Sequence, residues 1–573
     1  MDTITADPTQ SPSAPDLAEQ KEMIHEDSPS DSKSSASLAS WRLGIVIASL
    51  CCGTLLVAID TTIISIAVPS IATDFRAFDD VGWYGSAYLL TVTAFQPAFG
   101  SIYKLFNAKT TYLASVLCFE VGSVLCAAAP TSAVFIVGRA IAGIGAAGLY
   151  QGALGIVGLT VKLQKRPMYL GVVLSVFGIA ACFGPPLGGV LTQHVSWRWC
   201  FWINLPIGAV AFILILLFLR LPPRGVGKRE SVISRVMRLD IPGIILIISS
   251  VCCIVLALQW GSSSMPWGSS RVVGLFVGFG LLLIAFVLVQ WKQHELATVP
   301  LRVLRQRSVF MGAVYSFFLE MSIYVDLYYI PFYFQSAQLV TPTTSGVRAI
   351  PLGISQIAAV MITGLVASWT GHYVPFMVLG QVVSIIGTVF LARLEVGTPT
   401  AQWATFLVVA GFGHGMGLQM PFTAVQVVLS DDDIPIGNAV TVFFSQLGAA
   451  VAIAIGQSIF ETSLEHQVRT SNLPIAPASV VAAGPTGLRS LTSSPTTLRA
   501  LQDAYALAIQ SVMYFSLATA CAALPFAVGM QWLNVKTVAA QKEKEEAVAE
   551  MGANGDDEKG SPAIVDREVS TVS

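Results

Sequence analysis

Residues 45–68 read IVIASLCCGTLLVAIDTTIISIAV, a stretch in which Asp60 is the only charged side chain. A helix rises about 1.5 Å per residue, so about 20 apolar residues cross a hydrocarbon layer about 30 Å thick. The run is long enough to span a bilayer. It also lacks the polar face that a helix lying on a soluble core would show. Thirteen further runs read the same way: 83–103, 111–130, 134–158, 168–190, 200–220, 240–260, 272–291, 309–334, 347–369, 375–393, 403–427, 438–460 and 511–533.

Composition agrees with these runs. Of the 573 residues, 54% are hydrophobic and 12% charged, about half the charged share of an ordinary soluble domain, and mean hydropathy is +0.69. Of the 66 charged residues, 25 lie in the first 42 and last 40 positions, leaving 41 for the 491 between. A water-facing surface cannot be assembled from so few charges. The chain is therefore expected to be an all-α polytopic membrane protein with 14 transmembrane helices.

Lysine and arginine set the orientation, because positive loops stay in the cytoplasm. With the N-terminus inside, the inner loops of the first nine helices carry Lys104, Lys109, Lys162, Lys165, Arg166, Arg224, Lys228, Arg229, Arg235, Arg238, Arg302, Arg305 and Arg307, and the opposite loops carry Arg76, Arg198 and Arg271. An even helix count places both termini in the cytoplasm. The Asp431–Asp433 loop departs from the pattern, although acids weigh little in that rule.

The runs group as six, two and six. The expected organisation is a disordered N-tail over 1–42, a six-helix bundle over 43–220, a linker with two extra helices over 221–308, a second six-helix bundle over 309–533 with a long external loop at 461–510, and a disordered C-tail over 534–573. Such duplication is common among secondary transporters.

Ionisable groups at membrane depth are costly and mark function by default. By helical rise, Asp60 lies about 23 Å up its helix and Arg139 about 7 Å below the outer edge of another. They reach nearly the same level. We expect them to pair and protonation of Asp60 to break the pair, a physical basis for proton coupling; a static ion pair joining two helices is the alternative. Glu120 sits near mid-membrane in FEVGSVLCAA (119–128). Glu320 and Asp326 share FFLEMSIYVDLYYIPFYFQ (317–335), about 120° apart round the helix, with Asp326 in the outer third. Candidate substrate contacts are Glu120, Gln151, Glu320, Tyr324, Asp326, Gln335, Gln419 and Gln446. Tyr324, Tyr328, Tyr329 and Phe332 are expected to form an apolar pocket.

In GVVLSVFGIAACFGPPLGGV (171–190), glycines permit close helix approach and Pro185 and Pro186 remove backbone donors. The run suits a closely packed, deformable gate. The nine cysteines lie within or beside apolar runs, without metal-ligand spacing. No G-x-x-x-x-G-K-[ST] occurs, which excludes ATP-driven pumping by this chain. No basic tract with aromatics suggests nucleic acid, and no cofactor or metal site is expected.

Four stretches together resemble the major facilitator superfamily, and within it the fourteen-helix drug:proton antiporters. DTTIISIAVPSIATDF (60–75) is similar to that family's first-helix signature through Asp60 and Pro69. GRAIAGIGAAG (138–148) resembles motif B through Arg139, Gly143 and Gly145. GIAACFGPPLGG (178–189) resembles the antiporter motif C through Gly178, Gly184, Pro185, Gly188 and Gly189. SWRWCFWINLPIG (196–208) is similar to a further signature. Motif A is degenerate: GSIYKLFNAK (100–109) keeps Gly100 and Lys109, but Lys104 replaces its acid and Asn107 its second glycine.

The resemblance implies two pseudo-symmetric six-helix bundles around a central cavity and alternating access. It implies proton-coupled export of drugs, toxins or secondary metabolites across the plasma membrane, with Arg139 in proton transfer and Gly184–Gly189 setting the export direction. The partners would be a small-molecule substrate, protons and lipid, for a monomeric chain. Uptake of a siderophore, amino acid or other small solute is the alternative.

Overall fold

The computed structural model describes residues 40–77, 80–221, 232–263, 265–471, 473, 475–485 and 487–545. Arg224, Lys228 and Arg229 lie outside the described residues, as does most of each expected tail.

All fourteen apolar runs fall on helices. The first six are α1 (Ser40–Phe75), α2 (Val81–Leu105), α3 (Ala108–Ala127), α4 (Ser132–Thr160), α5 (Arg166–His194) and α6 (Asn204–Phe218). Two more follow, α7 (Ile241–Ser263) and α8 (Ser270–Gln293). The second set comprises α9 (Arg307–Ser336), α10 (Pro342–Thr370), α11 (Val374–Leu391), α12 (Thr400–Leu418) with its continuation α13 (Met420–Val428), α14 (Ile434–Thr470) and α15 (Pro495–Val528). Twelve helices among the described residues are long and apolar enough to cross a membrane, and α2 and the broken α12–α13 are not among them. The reason is chemical. Thr91, Thr93 and Gln96 of α2 and His414 and Gln419 of the broken helix are buried against protein, where a polar side chain need not face lipid.

Local chemistry fixes the helix starts. Free N–H groups of a first turn need acceptors, and Asn107, Thr131, Ser269, Thr341 and Ser494 supply them at the starts of α3, α4, α8, α10 and α15. Gly371 ends α10 in the left-handed region, at φ 80°, where a side chain is strained.

Several helices outrun the apolar stretches. The loop expected at 461–510 is shorter, because α14 continues to Thr470, α15 starts at Pro495, and Pro477–Ala483 forms a small helix between them. Tyr505 pins that helix by donating to the Val480 carbonyl at 3.1 Å. Residues 535–545, within the expected C-tail, are helical. The Asn534 side chain caps this helix by accepting from the Lys536 and Thr537 N–H groups.

The duplication is visible in the packing. In the first set α1 packs on α5 and α6, α2 on α4, and α3 on α4 and α6; in the second α9 packs on α14 and α15, α10 on α12, and α11 on α12 and α15. The sets meet along two seams, α5 against α10 and α2 against α14. Each seam joins the fifth helix of one set to the second of the other, as a two-fold relation requires. α7 lies along the second seam and carries α8 outside it. At the base of this hairpin Asp240 accepts from Gly243 N, Gln290 Nε2, Thr298 N and Thr298 Oγ1.

Candidate functional site

Asp60 on α1 and Arg139 on α4 form a direct ion pair, with Nη1 2.5 Å from Oδ2 and both side chains 1% exposed. The guanidinium also donates from Nε to the Tyr84 carbonyl at 2.8 Å and lies 4.4 Å from the Tyr88 ring centre. Among the described residues Asp60 Oδ1 has no hydrogen bond of ordinary geometry, although Asn204 of α6 stands beside the carboxylate. One carboxylate oxygen is therefore committed to the pair, while the other is buried. Two isolated charges at this depth would each cost several kcal/mol, so the pair stands or falls together.

The motif C glycines connect this pair to the rest of the molecule. A Cβ on Gly184 would lie 2.2 Å from Thr62 Oγ1, and one on Gly188 2.7 Å from Ile63 Cγ1. Both contacts fall on α1, within a turn of Asp60. Gly178, nearly two turns earlier on α5, faces the other bundle, where a Cβ would lie 2.4 Å from Ile357 Cγ1 of α10. Helix α5 is thus wedged between the helix bearing Asp60 and the opposite bundle.

Glu120 on α3 is half-buried, and among the described residues neither of its buried oxygens has a hydrogen-bond partner. Gly208 of α6 makes room for it, since a Cβ there would lie 1.7 Å from Oε1. Glu320 is half-buried on α9 and accepts from Ser445 Oγ at 3.0 Å. Tyr324, one turn on, is also half-buried. Tyr150 of α4 lies within electrostatic reach of Glu320 and Tyr324, and Tyr88 within reach of Asp60 and Tyr324. Tyr88 and Tyr150 of the first bundle thus lie near Glu320 and Tyr324 of the second, with Tyr88 and Tyr150 buried.

Other expected contacts lie elsewhere. Tyr328, Tyr329 and Phe332 pack on one another with ring centres 5.1–5.7 Å apart; Tyr328 is 41% exposed, whereas Tyr329 is fully buried and also packed 5.7 Å from Phe460. Asp326 is fully buried and does not share a surface with Glu320. Gln335 is half-buried and donates to Ser345 Oγ at 3.5 Å. Gln446 is half-buried beside Ser445. Gln419 is buried and donates to the Val360 carbonyl.

Gln151 crosses between bundles, donating to the Pro435 carbonyl at 2.5 Å. It belongs to a group of contacts at the Lys/Arg-rich end. There Gln426 donates to the Leu154 carbonyl, the Met168 N–H to Ser368 Oγ, and Arg166 approaches Asp431 at 3.9 Å. Lys104 Nζ meets Asp433 Oδ1 at 3.0 Å, and Arg302 of the linker meets the same carboxylate with both terminal nitrogens. Burial would raise the Asp433 pKa, but the hydrogen bonds from Arg302 and Lys104 outweigh it and hold the carboxyl below its usual range. The bundles are therefore latched together at this end.

At the other end Arg198 and Trp197 both donate to Asp74. Hydrogen bonding from Arg198, against a small opposing effect of burial, keeps Asp74 below the usual carboxylate range. A surface hollow of about 530 Å3 there is lined by Ser70, Thr73, Asp74, Ser196, Trp197 and Arg198, away from the buried pair.

Sequence reasoning missed His414, Tyr88 and Tyr150. His414 had a signal: it is an ionisable side chain inside the 403–427 run.

Residues 50–453 match the sequence profile of the Major Facilitator Superfamily. The chain is 40% identical over 498 residues to "MFS-type transporter astH" of Aspergillus oryzae, covering 87% of this chain and 88% of that one. It is 39% identical over 505 residues to "Efflux pump aflT" of Aspergillus parasiticus, covering 88% and 98%. With the "Aspyridones efflux protein" of Neocamarosporium betae it shares 40% over 444 residues, covering 77% and 79%. Among solved structures, that of the human organic anion transporter MFSD10 (TETRAN) superposes with a TM-score of 0.54 at 13% identity, covering 83% of this chain and 99% of the other; that likeness concerns the fold.

Proposed function

Because this chain belongs to the Major Facilitator Superfamily, we propose that it is a proton-coupled exporter of small, partly apolar compounds. The observation that carries this reading is the buried Asp60–Arg139 pair on a helix gripped by the motif C glycines. Relatives named as efflux pumps support the export direction and a secondary metabolite as substrate class.

The Lys/Arg-rich end is taken as cytoplasmic, so the latched state is closed to the inside. A proton arriving from outside binds Asp60 and neutralises it. Arg139 then keeps the Tyr84 carbonyl and the faces of the Tyr88 and Phe201 rings but no counter-charge, and an unpaired buried cation costs several kcal/mol. That cost favours a rearrangement of α1 against α4. Helix α5 follows α1 through Gly184 and Gly188 and transmits the movement to α10 through Gly178. Substrate sits between Tyr88 and Tyr150 on one bundle and Glu320 and Tyr324 on the other. Asp60 releases its proton to the cytoplasm when the inner end opens, which completes the exchange. The location that fits this reading is the plasma membrane, with both termini inside.

The test is efflux from a transporter-deficient yeast strain expressing the chain. Cells are loaded with dyes, azoles and fungal metabolites, and loss is followed with and without a protonophore. Efflux that stops with the protonophore is the expected result. Accumulation of a siderophore or an amino acid, with no efflux of any compound, would overturn it.

A further inference from the structure

The second bundle contains a buried acid–base cluster that the mechanism above does not use. Asp326 on α9 and His414 on α12 are 0% and 1% exposed. His414 Nε2 lies 3.7 Å from Asp326 Oδ2. Ser516 of α15 donates to Asp326 Oδ1 at 2.8 Å. Ser322 Oγ lies 2.9 Å from Ser516 Oγ and 3.4 Å from His414 Nε2. Among the described residues Asp326 Oδ2 has no hydrogen-bond partner.

The cluster repeats the arrangement of the first bundle. Asp60 and Arg139 occupy the first and fourth helices of their set, and Asp326 and His414 the first and fourth of theirs. The sixth helix adds a polar neighbour in each case: Asn204 beside Asp60, and Ser516 on Asp326. The difference is chemical. A guanidinium keeps its proton, whereas an imidazole exchanges one.

The geometry points to Asp326 and His414 as a second proton-binding site, holding one exchangeable proton between them while the bundle is sealed. The argument is electrostatic. An ionised Asp326 beside a neutral His414 would be a bare anion in a dry interior, at a cost of several kcal/mol. One proton removes that cost, on Oδ2 as a carboxylic acid or on the ring as an imidazolium ion pair.

Among the described residues no other group supplies the missing charge. His414 is the ion-pair partner of Asp326 among the described residues. On α9, Glu320 is another acid and is turned to Ser445 of α14. Glu461 of α14 accepts from Gln457. Gln381 of α11 donates to the Ala520 carbonyl. Arg348 of α10 is engaged with Gln338. Release of the proton therefore needs water, and so an opening of the second bundle.

The site's use in transport rests on the proton-coupled reading above, but its occupancy is measured without any substrate. The experiment is NMR of the purified full chain in lipid at pH 7, with 13C-carboxyl aspartate and 15N-ring histidine. Signals are assigned by their loss in Asp326→Asn and His414→Gln, and both variants are first checked for a native elution profile. Where His414→Gln fails that check, His414→Asn assigns the ring. The expected spectrum has either a protonated Asp326 carboxyl beside a neutral ring, or an ionised carboxyl beside a doubly protonated ring. Ionised Asp326 beside neutral His414 overturns the proposal, as does a pair holding two protons. Loss of efflux activity with the expected spectrum intact would count against the exporter reading alone.

Discussion

Asp60 and Arg139 illustrate how much one buried pair constrains. Removing either partner leaves the other charged and dry, whereas removing both leaves neither. Asp60→Asn and Arg139→Gln should each destabilise the protein by about 3–5 kcal/mol, and the double variant should cost clearly less than their sum. Thermal unfolding of the four proteins in detergent measures this coupling. Additive losses would mean the ion pair does not hold the two helices. The double variant, folded but without a titrating carboxyl, is also expected to lose uphill export. His414 shows the limit of reading single residues: an ionisable group in an apolar run is legible, but its partners Asp326 and Ser322 on α9 appear only once the chain is folded.

At the scale of elements, α5 and the latch carry separate predictions. Gly184→Ala places a methyl 2.2 Å from Thr62 Oγ1, and overpacking of this kind costs about 1–3 kcal/mol. Where about 1.4 kcal/mol of that cost falls on the α1–α5 movement of the transport cycle, export should fall by about tenfold. Adding Thr62→Ala should restore part of it; no recovery would place the defect elsewhere. The latch explains two oddities of the sequence. Lys104 stands where motif A has an acid, and Asp433 sits in an inner loop expected to be basic. The two meet each other, with the charges exchanged across the seam. Asn107, which replaces a glycine, caps α3. Neither role was legible, because Lys104 and Asp433 are 329 positions apart.

The latch also has a definite pH response. The Asp433 carboxyl is held below its usual range, so its contribution is present above the ordinary carboxylate pKa of about 4 and is lost as pH falls further. Between pH 5.5 and 8 it should be constant. Ala439→Cys, buried on α14 along the α2 seam, reports on it in a cysteine-free background. Asp433→Asn should speed labelling by a membrane-impermeant maleimide from the inner face several-fold, and the ratio to the unsubstituted latch should not change over that range. An unchanged rate would show that the latch does not close the inner end.

For the whole molecule, apolar run length already marked fourteen stretches that fall on helices, of which twelve among the described residues are long and apolar enough to cross a membrane. What they could not give is where helices stop outside the bilayer, as α14 and α15 do, because bilayer thickness no longer limits length there. Nor could they show that α2 and α12–α13 are helices shielded by protein. The two seams, α5 with α10 and α2 with α14, divide the labour of a two-fold device. In the proposed cycle one passes movement from Asp60 across the bundles, and the other, flanked by the linker hairpin, carries the latch.

The most direct measurement uses vesicles containing the purified chain, preloaded with a substrate identified by the efflux screen, under an imposed pH gradient. A gradient directed opposite to substrate movement should drive the compound against its own concentration, and collapsing the gradient should stop it. The Asp60→Asn/Arg139→Gln protein should equilibrate the compound without concentrating it. Gradient-driven accumulation by that double variant, at the rate of the unsubstituted chain, would contradict the account.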